Sequence, residues 1–242
     1  MKFRYPELTL NAWLRFDAIA RGLRRIQPTS IVEFGTGQGA MAAWLAQRYS
    51  YVGVEPDDAS RAVAQQRVAA LGRGSIVDSA ASVEGTFDAM CSFEVLEHIE
   101  DDVAALTEWS QRLRSRGWLL ASVPAHPERY GAGDRAVGHI RRYSRADLEQ
   151  HLDAAGFDVV QLDCYGTGLG YALERVRNLL IARRQHDDLA VASAGSGRLF
   201  QPTAKVISLA LAIAAAPFRV LQRPWDQSGK GIGWVVLAQK RA

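Results

Sequence analysis

Residues 31–40 read IVEFGTGQGA: an apolar pair, an acid, then glycine at alternate positions, Gly35, Gly37 and Gly39. SIVEF (30–34) has the composition of a short buried strand and MAAWLAQRY (41–49) that of a helix. The glycines therefore fall on a strand-to-helix turn, where positive φ is tolerated and a ligand can touch the backbone. The helix N-terminus beyond them would suit an anion. A dinucleotide fingerprint needs G-x-G-x-x-G. The spacing here is G-x-G-x-G, and Glu33 precedes it. A carboxylate repels a pyrophosphate and suits a ligand carrying positive charge. Its plainer alternative is an ion pair with an arginine at the sheet edge.

Working outward, YVGVEP (51–56) reads as a second strand ending in Glu55, about 16 residues past Gly39. An acid at such a strand end can accept both hydroxyls of a ribose. DDASRAVAQQRVAAL (57–71) is a helix with acids in its first turn, SIVD (75–78) a third strand, and FDAMCSF (87–93) a fourth. DDVAALTEWSQRL (101–113) is the next helix and GWLLASVP (117–124) the fifth strand. AWLRFDAIARGLRRI (12–26) is an amphipathic helix ahead of them all. Strands alternating with helices at this interval predict an α/β fold, a parallel sheet with helices on both faces. SRADLEQHLDAAG (144–156) is a helix capped by Ser144 and stopped by Gly156, followed by a sixth strand, FDVVQLDC (157–164), and a last one, IGWVVLAQK (232–240).

A site that wants a ribose and a cation, without diphosphate spacing, fits S-adenosylmethionine (SAM), which joins adenosine to a sulfonium and an amino-acid tail. The ordered set VEFGTGQG, VGVEP, FDAMCSFEVLEHIED and GWLLASVPAH, closed by GWVVLAQK, resembles the class I SAM-dependent methyltransferases of the methyltransferase-11/ubiquinone-type group. The resemblance covers residues 30–165 and the closing strand. It implies a Rossmann-like seven-stranded sheet, SAM as cofactor and methyl transfer as activity. It further implies Glu33, Gly35, Thr36 and Gly37 on the methionine side, Glu55 and Pro56 at the ribose, Asp78 and Ser79 near the adenine, and Phe93 and Glu94 bordering the cofactor. Thr36 stands where many relatives carry Cys, and VDSA lacks the Gly that often precedes the acid matched by Asp78.

The segment SVPAHPERYGAGDRAVGHIRRYSRADL (122–148) follows strand five, at the edge where open α/β sheets bind ligands. It reads as a loop crowded with polar side chains, and GHIRRYS resembles a segment of relatives that act on sugar- and lipid-linked substrates. A hydroxyl acceptor needs a base, for which histidine is suited. His139 and His126 are the candidates, with Asp134 as orienter. The alternative is that His139 and the arginines hold the loop down through backbone carbonyls and Asp134. Glu97 and His98 read as caps of the following helix. No His/Asp spacing is diagnostic of a metal, so none is expected.

The remaining features set limits. In 242 residues, 29 basic against 26 acidic side chains give a net charge of +3, too little to imply nucleic acid. Cys91 and Cys164 lie in apolar strand-like runs and read as buried thiols of a reducing compartment. MKFRYPELTLNAW lacks a signal-peptide apolar region, and the expected location is cytoplasmic. The expected organisation is a SAM-binding domain of residues 1–165 plus 231–242, with a helical insertion over 166–230. The insertion holds helices near 169–184 and 203–222 and a Gly/Ser-rich linker, ASAGSG (192–197). Its apolar run Val206 to Phe218 is shorter than the ~18 residues a span requires. It reads as substrate cover, with membrane-surface contact or a homodimer contact as alternatives. The tryptophans read as core, with Trp13 the one that could fold over the cofactor. The leading expectation is methyl transfer to a small-molecule acceptor, a hydroxyl of a sugar, lipid-linked or polyketide-type compound. The alternatives are a non-catalytic SAM-binding scaffold or a dinucleotide oxidoreductase.

Overall fold

The structure is a computed structural model and describes residues 6, 8–184 and 205–242. Seven strands form one sheet: β1 (Ser30–Phe34), β2 (Ser50–Val54), β3 (Ser75–Val77), β4 (Phe87–Phe93), β5 (Leu113–Pro124), β6 (Phe157–Tyr165) and β7 (Gly233–Lys240). Their order is β3-β2-β1-β4-β5-β7-β6. Among the described residues eight α-helices occur: α1 (Leu10–Ile26), α2 (Ala40–Ala46), α3 (Asp58–Ala69), α4 (Asp102–Ser110), α5 (Ala132–Ala136), α6 (Arg145–Ala154), α7 (Leu169–Arg184) and α8 (Lys205–Leu221).

The pleat of β1 shows how sequence becomes layers. Side chains alternate across a strand: Ile31 joins the core beneath α1 with Trp13, Leu14, Leu45 and Tyr51. Val32 and Phe34 join the opposite core with Met90, Leu106 and Trp109. Glu33, on the Ile31 side, is thus an acid on an otherwise apolar central strand. Helix starts follow local chemistry. Asp57 accepts from the Ser60 amide at 2.8 Å at the head of α3. Ser144 and Asp147 form a reciprocal capping box at α6, as expected for Ser144. Gly156 follows that helix with φ +84°.

The expectation of a parallel sheet holds for β1 to β5, but β7 runs antiparallel between β5 and β6. The reason is the two-helix excursion. Gly233 starts β7 beside Tyr165, where β6 ends. The chain leaves and re-enters at one edge of the sheet, so it must run back down, whereas a single crossover helix returns it to the opposite edge. The segment after β5 also holds more structure than a loop: a turn at Pro127–Arg129, then α5.

Helices α7 and α8 match the two helical segments expected between β6 and β7, and ASAGSG (192–197) lies outside the described residues. α8 docks on α1: Ala212 and Ala215 enter the α1 core, and Arg219 lies over the rings of Trp13 and Phe16. The Gln222 side chain donates to the Leu14 carbonyl at 2.8 Å. Trp13 is fully buried in this core, not folded over the cleft, whereas Trp225 is half exposed and outside the core. Both cysteines are buried. No helix among the described residues is long and apolar enough to cross a membrane.

Candidate active site

A cleft of about 1140 Å³ opens at the C-terminal ends of β1, β2, β3 and β4. Glu33, Gly35, Thr36, Gly37, Glu55, Pro56, Asp78, Ser79, Phe93 and Glu94 all line it. The ten residues read from the sequence as a cofactor set therefore share one cavity.

The glycine turn is shaped by backbone conformation. Gly35 has φ +76°, and a Cβ there would lie 2.3 Å from the Val95 side chain. Gly37 has φ +56°, yet a Cβ there would meet nothing within 4 Å, so its backbone faces open space. Glu55 fixes the turn, accepting from the Gly37 amide at 2.6 Å and the Asp57 amide at 3.1 Å. A carboxylate anchored this way keeps acceptor capacity for two hydroxyls. Asp78 is held by the Ser82 and Ser79 hydroxyls, at 2.7 and 3.1 Å, which lower its pKa.

Glu33 is 2% exposed and accepts from the Tyr51 hydroxyl. Burial pushes its carboxyl up to about 8, against the pull of that hydrogen bond and of Arg15, with Glu55 adding to the rise. Its partner is thus a tyrosine, and not the arginine of the plainer reading. A buried acid facing a cleft, kept neutral chiefly by desolvation, is poised to ionise when a cation arrives. The arginine in this region serves Glu94: Arg15 reaches it at 2.9 Å and the Ser122 hydroxyl donates to it at 3.0 Å. Glu94 itself holds φ +57°, a conformation uncommon for a residue with a side chain.

The far wall of the cleft comes from His98, Asp134, His139, Arg142, Tyr165, Glu174 and Arg177. Asp134 is fully buried and accepts from Arg142 Nε and Nη2 at 2.9 and 2.8 Å. Those bonds and the one to His139 carry its pKa well below the carboxylate range despite burial. Arg142 also meets Glu174 of α7 at 2.6 Å and donates to the Ala125 carbonyl at 3.3 Å. The Arg141 guanidinium donates to the Glu100 carbonyl at 2.6 Å. The two arginines thus hold the loop, as the scaffold reading has it, while the His139 ring faces the cleft with Nδ1 3.1 Å from Asp134. His126 is not among the cleft-lining residues. Its ring sits 6.1 Å from Trp234 and its Nδ1 3.3 Å from Glu128.

Glu97 and His98 do not cap α4. Asp101 does, accepting from the Ala104 amide at 2.9 Å, because Glu97 and His98 belong to a separate turn, Leu96–His98, ahead of it. Glu97 is completely buried, and burial and the nearby Glu94 push its pKa well above the ordinary value. The residues not read from the sequence as part of the site are Arg15, Tyr51, Tyr165, Glu174 and Arg177. Arg15, Glu174 and Arg177 lie outside the motifs and Tyr165 at the end of β6, while Tyr51 opens the YVGVEP strand without any spacing that marks it.

A sheet of this order, with the last strand reversed and a cleft at the strand ends carrying an acid on β1 and another after β2, defines the class I methyltransferase fold. The family model described as "Methyltransferase domain" matches residues 11–162, and the chain belongs to that family, whose methyl donor is SAM. A Mycolicibacterium smegmatis protein named a probable S-adenosylmethionine-dependent methyltransferase is 26% identical over 156 residues, covering 62% of this chain. The matched region spans 60% of that relative's length. Among solved structures, a Bacillus halodurans protein assigned as a methyltransferase superposes with a TM-score of 0.60 at 16% identity, covering 93% of this chain and 99% of the other. Coclaurine N-methyltransferase bound to N-methylheliamine and SAH gives 0.58 at 16% identity, with 93% and 72% covered. The [4+2]-cyclase SpnF gives 0.58 at 18% identity, with 93% and 80% covered. At these identities the likeness is one of fold, and the three names show that the fold hosts different reactions.

Proposed function

We propose that the chain transfers the methyl group of SAM to a small-molecule acceptor, and that a hydroxyl of a sugar, lipid-linked or polyketide-type compound is the acceptor group. The observation that carries this is the single cleft, with the ten-residue cofactor set on one wall and a polar second wall around His139. The residues present fit SAM. Glu33 offers a buried carboxyl to a cationic tail, Gly37 an open backbone, Glu55 an anchored acceptor at ribose reach, and Asp78 with Ser79 a polar rim for the adenine. When bound, SAM supplies an electrophilic methyl carbon that an aligned nucleophile takes without further activation. The chain's own task is to align the acceptor, where proximity contributes much of the rate, and to manage the acceptor's proton.

On this reading residues 1–165 and 231–242 bind SAM, and 166–230 cover the acceptor side through α7, which brings Glu174 and Arg177 to the cleft. Leu209, Ile213 and Val220 leave an apolar face exposed on α8. That face supports the part of the reading in which the insertion meets a membrane surface or a second copy of the chain. Vesicle co-flotation and light scattering separate the two. His139 and Asp134 are assigned to the acceptor side, and His126, outside the cleft, is not.

Calorimetric titration with SAM, SAH and NAD tests the cofactor. Binding of SAM and SAH but not NAD is the expected result, and the reverse would make the chain a dinucleotide enzyme. Release of SAH with an acceptor panel then tests turnover. SAM binding without release under any acceptor, including compounds co-purified with the chain and identified by mass spectrometry, would favour a non-catalytic role.

A further inference from the structure

One side-chain cluster on the acceptor wall is explained neither by SAM binding nor by the fold. Glu97, His98 and His139 each bring one ligand-capable atom within 4.8 Å of the others. The three come from the turn after β4 and from the loop after β5, 41 positions apart between His98 and His139.

The hydrogen bonds around them are those of a ligand set. His98 Nδ1 lies 3.0 Å from the Gly138 carbonyl oxygen, which can only accept. His139 Nδ1 lies 3.1 Å from Asp134, whose ionised state is enforced by Arg142. Both rings therefore carry the proton on Nδ1 and present a bare lone pair at Nε2. Imidazoles that bind metal ions are oriented in this way, by a carbonyl or a carboxylate behind the ring. Glu97 is the independent sign. It is fully buried, and neither of its carboxylate oxygens has a hydrogen-bond partner among the described residues. A buried acid left without partners is costly to a fold unless something else occupies it. His139 Nε2 stands 3.5 Å from Glu97 Oε1, as neighbouring ligands of one ion do.

We propose that Glu97, His98 and His139 form a site for a divalent transition-metal ion on the acceptor wall of the cleft. Two imidazoles and one carboxylate favour zinc, cobalt, iron or manganese over magnesium and calcium, which take oxygen ligands. Bonds of about 2.0–2.2 Å require the three side chains to draw together by on the order of 1 Å, a side-chain rotation and not a change of fold. His98 is exposed and His139 lines the cleft, so the ion keeps open positions on the cleft side. Resting on the methyl-transfer reading, those positions hold the hydroxyl oxygen of the acceptor and lower its pKa. The acceptor proton passes to solvent, the oxygen–carbon bond forms as the sulfur–methyl bond breaks, and sulfur keeps the electron pair. His139 then holds the ion and is not itself the base.

The full chain, freed of metal with EDTA, is titrated with Co²⁺ and followed by visible absorption, and with Zn²⁺ in competition with a chromogenic chelator. One equivalent bound, with affinity at least tenfold weaker in Glu97→Gln and in His98→Ala, is the expected result. Circular dichroism verifies that both variants are folded, and His98→Ala, at an exposed position, guards against a variant lost to misfolding. No stoichiometric binding by the folded parent, or equal binding by parent and both variants, overturns the site. A SAM titration on the same samples keeps the two readings apart. SAM binding without metal binding sinks only the metal site, and metal binding without SAM binding sinks only the methyl-transfer reading. With an active acceptor in hand, turnover should stop on chelation and return with the ion, and turnover indifferent to chelation removes the ion from the reaction.

Discussion

The two walls of the cleft are built in opposite ways. The wall proposed for the cofactor is mostly backbone: three glycines at positive φ, strand ends, and a few carboxylates that accept amides or hydroxyls. The wall proposed for the acceptor is mostly side chain: Asp134, Arg142, Glu174, His139, His98 and Glu97 converge from the turn after β4, the loop after β5 and α7. A wall of the first kind is specified locally, because each residue's job is set by the turn in which it sits. The second kind depends on a network in which every charge needs the others.

The sharpest way to break this contrast is to remove the hub of the network. Arg142→Ala leaves Asp134 buried without its arginine and Glu174 with Arg129 alone, and should destabilise the fold by about 3–5 kcal/mol. Thermal unfolding should show a fall on the order of 10 °C. At a temperature where the variant is folded, SAM affinity should stay within about threefold of the parent. A parallel loss of SAM affinity would mean that the walls are one unit.

Glu33→Gln tests the one titrating group on the cofactor wall that burial has displaced. It faces Tyr51 and Glu55 from the β2 side, Arg15 of α1, and Cys91 of β4. A carboxyl raised from about 4.5 to about 8 contributes stability that is fully present below pH 4.5 and is lost as pH rises through 8. The ligand-free parent should therefore fall behind Glu33→Gln steadily over that window. The gap at pH 9 should be on the order of 3 kcal/mol, below the ceiling of about 5 kcal/mol that the full displacement carries. Melting curves that run parallel from pH 5 to 9 would show that Glu33 is ionised throughout.

Glu55→Ala removes a charged acceptor and should cost SAM about 1.5–3 kcal/mol of binding, roughly 10–150-fold, read by calorimetry. Unchanged affinity in the folded variant would move the ribose elsewhere. The smallest effect is expected at Gly37. A Cβ there meets no neighbour within 4 Å, so Gly37→Ala should cost stability only through its φ of +56°, about 1–2 kcal/mol. A larger loss of stability would mean that the turn is packed, and the backbone-built description of this wall would fail.

The same contrast explains what the sequence made readable. FGTGQG, GVEP and the alternation of strands with helices are local patterns, and they picked out residues that share one cleft and all seven strands. The reversal of β7 was not readable, because it depends on where a long two-helix excursion re-enters the sheet. On the acceptor wall the reading failed in a consistent direction. His126 has the residue type of a base but a backbone at φ +68° that holds its ring against Trp234, away from the cleft. Glu97 and His98 have the look of a helix cap, yet Asp101 takes that role, and the pairing of the Ile140 amide with the Glu97 carbonyl at 2.9 Å, with the His98–Gly138 bond beside it, brings His139 to them. Arg15 and Tyr165 meet at Glu94 from segments far apart in the chain, and no spacing rule links them.

The place of β7 bears on how the protein comes into being. Among the seven strands it is the last to be synthesised, yet it lies inside the sheet with β5 on one side and β6 on the other. Until residues 233–240 leave the ribosome, β5 has an open edge, and β6 has no strand to pair with. The nascent chain thus spends the translation of about 70 codons with two unsatisfied strand edges, the kind of surface that recruits other chains. Slowing synthesis over the insertion should lengthen that exposure and raise the demand for chaperones, whereas the same delay placed between β1 and β4 should not.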